Sequence, residues 1–195
     1  MGLSERYLVW RLRRGEAEAC RELIARHHRG VYGYLRHLGA DSTLAEDLTQ
    51  ETYAKAWQHM RRLRQSTSLR SWLLTIARNE FLQWARVDRP ERGATSRLPD
   101  RQDLTPGPQA SLLLSERDGA LRRTVNRLQP ELRETVTLHY FHNLSLRDCA
   151  RVLGIPAGTV KSRVHRALGC LRELLEGKEA DHETQRAGKA LARHS

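Results

Sequence analysis

The chain has 195 residues, a formal net charge of +11 and an isoelectric point near 10.4, enough length for one ordinary domain or two small ones. So large an excess of base points to a polyanionic partner, nucleic acid or an anionic membrane surface. Membrane insertion and export are not expected: no apolar run approaches the roughly 18–20 residues of a span, and MGLSERYLVW lacks the apolar core of a signal peptide.

Apolar periodicity predicts helices throughout, with no period-two strand pattern. A helix near 4–14 stops at Gly15. The next, near 17–38, turns Leu23, Ile24, Val31, Leu35 and Leu38 inward and stops at Gly39. Thr43 and Glu46 fit a capping box, in which the hydroxyl accepts one free N–H and the carboxylate reaches back to another. The helix that follows carries Leu44, Leu48, Ala56, Trp57 and Met60. Ser68 is placed to cap a fourth helix over 69–86. Its pattern turns Trp72, Leu73, Ile76 and Trp84 inward and leaves Thr75, Arg78, Asn79, Leu82 and Arg86 on an outer face.

Pro90, Pro99, Pro106 and Pro108 then fall close together with Gly93 and Gly107. Such a stretch, about 25 residues long, reads as a flexible linker over 88–111. It separates a domain at 1–87 from one at 112–176, where helices are expected near 112–128, 131–141, 146–153 and 157–176. Pro130 suits a helix first turn, where its missing N–H has no partner. Ser145 with Asp148 resembles another capping box, Gly154 ends that helix and Pro156 opens the next. The tail 177–195 is polar and expected to fray. The fold class is therefore all-α: two small helical domains joined by a flexible linker, the second containing a helix-turn-helix. Cys20, Cys149 and Cys170 are scattered, which fits free thiols in a reducing cytoplasm.

Three segments carry function. In SLRDCARVLGIPAGTVKSRVHRALGCL, a short capped helix, a tight turn and a basic helix make the helix-turn-helix. Val160, Val164, Ala167 and Leu171 should pack inward. Gly158, Thr159, Ser162, His165 and Arg166 lie opposite, flanked by Lys161 and Arg163, a small, polar, basic face suited to a major groove. In 41–54 the charge reverses: Asp41, Glu46, Asp47 and Glu51 occur without a base, and Asp47, Gln50 and Glu51 share one helical face. An ordinary solvated face looks the same on spacing alone, but an acidic patch in a basic chain suggests a second, protein partner. The segment 61–87 mixes Arg61, Arg62, Arg64, Arg70, Arg78 and Arg86 with Trp72, Phe81 and Trp84. Bases hold a phosphate backbone and aromatics receive unstacked bases, although core packing is the simpler role for those rings.

In this order, the segments resemble the extracytoplasmic-function sigma factors, the minimal members of the sigma-70 family of RNA polymerase sigma subunits. AEDLTQETYAKAW resembles the family's core-polymerase helix, SLRSWLLTIARNEFL its minus-ten helix, and LQPELRETVTLHYFHNLSLRDCARVLGIPAGTVKSRVHRAL its minus-thirty-five domain. The resemblance spans about 5–176. It departs where Cys149 replaces a common Ile and Cys20 a common aromatic. It implies that Asp47, Gln50 and Glu51 meet core polymerase. It also implies that Gln65, Ser66, Thr67, Ser68, Thr75, Arg78, Asn79 and Arg86 meet the minus-ten element, with Asn79 and the 65–68 loop holding a flipped base. Thr159, Lys161, Ser162, Arg163 and Arg166 would meet the minus-thirty-five element. The implied partners are core RNA polymerase, double-stranded and melted promoter DNA and a restraining anti-sigma factor. No catalytic residue, cofactor or metal is implied.

Two rivals compete. A free-standing helix-turn-helix regulator explains 112–176 but leaves the acidic helix and the arginine-rich segment idle. A metalloprotein would use His139 and His142, at i, i+3, with Cys149, but no HExxH or CxxC pattern supports it.

Overall fold

The computed structural model describes residues 3–60, 63, 68–87 and 124–191, and every regular element among them is helical. The linker expected at 88–111, the helix start expected at 112 and the loop residues Gln65, Ser66 and Thr67 lie outside the described residues. Among those described, no helix is long and apolar enough to cross a membrane.

α1 (Leu3–Arg13) buries Leu8, Val9 and Leu12, and α2 (Ala17–Leu38) buries Ala19, Leu23, Val31, Tyr34 and Leu35. Ile24, expected inside, is 41% exposed: it sits one residue past Leu23, at the edge of the stripe that Leu23, Val31 and Leu35 define. α2 closes on Gly39, whose φ of 106° lies in the left-handed region that favours glycine. Its N–H reaches the Arg36 carbonyl at 3.1 Å and the Ala40 N–H returns to Leu35 at 3.2 Å, a Schellman closure.

α3 (Ser42–His59) is capped by Asp41 rather than by Thr43. The Asp41 carboxylate accepts the Leu44 N–H at 2.8 Å. Asp41 holds the extended backbone that a cap needs, and its charge complements the helix dipole better than a hydroxyl does. Ala45, Leu48, Thr52 and Ala56 form the inward stripe, so Trp57 falls beside it and is 50% exposed.

α4 (Leu69–Val87) is buried on two sides, with Leu69, Leu73, Ala77 and Glu80 inside together with Ser71 and Leu74. Trp72, Ile76 and Trp84, expected inward, are only half-buried at the rim of the core. Glu80 is buried because Lys55 on α3 pairs with it.

After a helical turn at 124–126, α5 (Pro130–Val136) opens on its proline and runs into a π-helical turn, Thr137–Phe141. α6 (Leu146–Leu153) is capped by the Ser145 hydroxyl, which accepts the Asp148 N–H at 3.1 Å and donates to the Asp148 carboxylate at 2.6 Å. Gly154, at φ 68°, ends it. α7 (Ala157–Leu191) continues well past 176. The expected frayed tail is therefore helical through Leu191, as its Ala, Glu, Lys, Arg and Gln content and lack of proline favour.

The two units share one core. Leu8, Tyr34, Leu35, Leu69 and Leu73 of the first join Leu138, Cys149, Val152 and Val160 of the second in a single buried cluster. A smaller cluster of Val125, Leu128, Leu132, Val136, Ala167 and Leu171 holds α5 to α7. Polar contacts line the seam. Tyr34, fully buried, donates its hydroxyl to Glu134 Oε1 at 2.7 Å, and Arg78 Nε donates to the same oxygen at 2.9 Å. Arg70 donates to the His142 carbonyl at 2.9 Å, and the His142 ring meets Tyr34 edge-on at 5.7 Å.

His142 gives the seam a pH dependence. Burial, then the charges of His37 and Arg70, push its imidazole down to about 4. The seam thus holds the neutral ring. An unfolded chain protonates it near pH 6.5, so between about pH 6.5 and 4 the unfolded state takes a proton that the folded state refuses. Stability is lost as pH falls through that window, by up to about 3 kcal/mol. Urea unfolding of the wild type should therefore weaken more steeply with acid than that of His142→Gln. Parallel pH profiles for the two proteins would refute this role.

Candidate nucleic-acid and protein interfaces

The outer side of α3 is built by contrast with its inner side. Two buried threonines satisfy their hydroxyls within the helix: Thr49 donates to the Ala45 carbonyl and Thr52 to that of Leu48, each at 2.6 Å. Opposite them Glu46, Asp47, Gln50 and Glu51 are all exposed. The structure thus brings the three expected polymerase-facing residues onto one free surface. Trp57 borders an apolar pocket of about 360 Å³ lined also by Gly15, Cys20, Leu23, Ile24, Tyr53 and Met60. Burial pushes both the Cys20 thiol and the Tyr53 hydroxyl upward, so neither ionises near neutrality.

On α4 the expected residues divide. Asn79 and Arg86 are exposed. Thr75 is half-buried and donates to the Ser71 carbonyl at 2.8 Å. Arg78 is half-buried and held by Glu134 across the seam. Burial opposes its charge, but the Glu134 carboxylate outweighs that and holds the guanidinium above its ordinary value. Ser68 is half-buried, its carbonyl accepting the Trp72 N–H at 3.0 Å. Phe81 and Trp84 lie 5.8 Å apart and pack against the core.

In the helix-turn-helix, Val160 and Ala167 are wholly buried, Leu171 is buried and Val164 half-buried, as the periodicity requires. That orientation leaves Lys161, Ser162, His165 and Arg166 exposed on one side, with Thr159 at its edge. Ser162 donates to the Thr159 carbonyl at 2.9 Å, which fixes its rotamer. Arg163 departs from the group: it is turned to Glu131 of α5 at 2.6 Å. The histidines of the metal rival are used otherwise. His139 Nδ1 lies 2.8 Å from the Leu144 carbonyl, His142 packs on Tyr34, and among the described residues no cluster of metal-binding side chains occurs.

Sequence reasoning missed the groups that bind the seam. Tyr34 looks like an ordinary core aromatic, and Glu134 like one more solvated acid of a helix. Neither carries a local signal, because their partners lie 100 and 56 residues away from Glu134.

Comparison with known proteins agrees with this layout. The chain matches sigma-70 region 2 over residues 23–90 and sigma-70 region 4 over residues 118–171, the architecture of a promoter-specificity subunit. It is 34% identical to the ECF RNA polymerase sigma factor BldN of Streptomyces coelicolor over 86% of this chain, and spans 64% of that protein's length. It is 33% identical to the RNA polymerase sigma factor CarQ of Myxococcus xanthus, over 85% of this chain and 94% of CarQ. The sigma factor RpoE from Bartonella quintana, solved in complex with the anti-sigma factor NepR, aligns with a TM-score of 0.65 at 29% identity, over 80% of this chain and 96% of that one. The chain belongs to the sigma-70 family, within its extracytoplasmic-function group.

The seam network predicts graded losses. Tyr34→Phe removes one hydrogen bond but keeps the Arg78–Glu134 pair, and should cost about 1 kcal/mol. Glu134→Ala strands both a buried hydroxyl and a half-buried guanidinium, and should cost about 2 kcal/mol or more. Denaturant titration of the two variants checks the order; an equal or reversed ranking would show that Glu134 does not anchor both donors.

Proposed function

We propose that this chain binds core RNA polymerase and directs it to promoters, acting as a binding subunit rather than a catalyst and using no cofactor. The exposed face of Asp47, Gln50 and Glu51 on α3 is the polymerase contact, with Trp57 and its apolar pocket extending it. Thr159, Lys161, Ser162 and Arg166 read the minus-thirty-five element in the major groove, and Arg163 joins them by exchanging Glu131 for a phosphate. Asn79 and Arg86, with Thr75, Arg78 and the 65–68 loop, receive the melted minus-ten strand and so promote opening of the duplex. The observation that carries this reading is the separation of an exposed acidic face and an exposed basic recognition face within one chain of the sigma-70 family.

The seam adds a condition. Arg78 cannot reach DNA while Glu134 holds it, so minus-ten recognition requires the two units to part. A protein that keeps them together, or masks either one, restrains the factor. The complex of the related RpoE with the anti-sigma factor NepR supports an anti-sigma partner here.

Reconstitution with purified core polymerase tests the assignment. Asp47→Arg should weaken association with core by about tenfold or more, since a reversed charge at a protein interface repels its partner. Arg166→Ala should leave core binding intact, reduce transcription, and change base preference in a randomised minus-thirty-five library. Loss of a base-edge contact is worth about 1–3 kcal/mol of discrimination, whereas loss of a phosphate contact weakens all sequences alike. Unchanged core affinity in the first variant, or wild-type preferences and activity in the second, would remove the corresponding surface from the proposal.

A further inference from the structure

His142 sits where the two units meet and belongs to neither the polymerase face nor the recognition helix. It closes the π-helical turn, its N–H returning to the Thr137 carbonyl at 3.1 Å, and it is 8% exposed. The first unit supplies its bed. The ring meets Tyr34 edge-on at 5.7 Å, and the His142 carbonyl accepts from Arg70 at 2.9 Å. Gly30 of α2 leaves room for the ring, since a Cβ there would stand 4.0 Å from its Nδ1. The imidazole is a plug from the second unit seated in the first.

The ionisable groups around this plug offer a proton no counter-charge. From α2 the ring faces Tyr34 and His37, and from α4 Arg70; the charges of His37 and Arg70 both oppose protonation. Glu134, the carboxylate that α5 brings to the seam, is taken by Tyr34 and Arg78. α6 sends Arg151, which pairs with Asp148 and reaches Ser71 at 3.4 Å. His27, three residues before Gly30, is under the same pressure: burial, then the charge of Arg70, lowers its imidazole against the pull of Glu5. The second unit also has a cluster of its own, which holds α5 to α7 without help from the seam.

We infer that the seam is an acid-released latch: a proton on His142 parts the two units while each stays folded, and so uncovers Arg78. The functional consequence rests on the reading above, that minus-ten recognition requires the units to part. The size of the effect follows from linkage. In the seam the ring is held down to about 4, whereas in a parted chain it faces water and titrates near its ordinary value of about 6.5. The parted form therefore gains on the joined form as pH falls below about 6.5, and stops gaining below about 4. Between about pH 7.5 and about pH 5.5 the ratio of parted to joined molecules rises about tenfold.

Single-molecule energy transfer on the full-length chain tests this, with dyes at the exposed Gln58 of α3 and Arg172 of α7. The wild type should show the tenfold rise with its helical circular dichroism unchanged. His142→Gln, which takes up no proton, should hold its ratio within about twofold over the same range. Tyr34→Phe loosens the seam without touching the titration, so its ratio should be higher at both pH values and keep the tenfold rise. Imidazole NMR of the wild type covers the case in which His142→Gln is parted at every pH: joined molecules should keep this ring neutral at about pH 5.5. No rise in the wild type, a full rise in His142→Gln, a ring that titrates at its ordinary value, or a rise matched by loss of helix overturns the inference. The count uses no promoter, so it stands apart from the minus-ten reading. If molecules part as expected but Arg78→Ala leaves minus-ten binding by the holoenzyme intact, that reading fails and the latch remains.

Discussion

The carboxylate of Glu134 answers two donors that would otherwise be stranded, the fully buried hydroxyl of Tyr34 and the half-buried guanidinium of Arg78. Around it lies a continuous apolar cluster to which both units contribute. An apolar seam alone tolerates some sliding, because hydrophobic contact is non-directional. One carboxylate oxygen shared by two donors from two different helices does not. The register of α5 against α2 and α4 therefore hangs on this point, and with it the choice of which surfaces face solvent and which are covered.

That choice sorts the charged surfaces by availability. The acidic side of α3 and the basic side of α7 are both open, while α4 is shared between solvent and the seam. Among the described residues nothing covers Asp47 and Gln50, so on the proposed reading a protein partner meets them directly. A DNA strand reaching for Arg78 must displace an ion pair and part of a core. If both surfaces act as proposed, the two binding events differ in what they demand of the protein, and the second is favoured only once something else stabilises the separated units.

Much of this was legible in the sequence, for local reasons. Gly39 and Gly154 mark turns because their backbones enter the left-handed region. Pro130 opens α5 and Ser145 caps α6, each through a group within four residues of itself. The recognition face followed from a 3.6-residue period, and the shared core leaves it outward. Where the sequence was ambiguous, either two local signals competed or the deciding partner was distant. Thr43 and Asp41 compete for one cap, and the backbone conformation at Asp41 decides. Ile24 sits at the margin of its stripe, where periodicity cannot tell core from rim. Arg163 looks like its neighbours Lys161 and Arg166 until α5 brings Glu131 beside it.

The shared core also contains a sulfur atom. Cys149 is wholly buried on α6, close enough to Tyr34 to affect its ionisation, and burial pushes its thiol up to about 11. While the units stay together it is protected twice, by exclusion of solvent and by being protonated, since only the thiolate reacts. Parting them removes both protections at once. The rate at which an alkylating reagent consumes Cys149, followed apart from the partly buried Cys20 and Cys170, is then a clock for the opening of this protein, readable without DNA or polymerase.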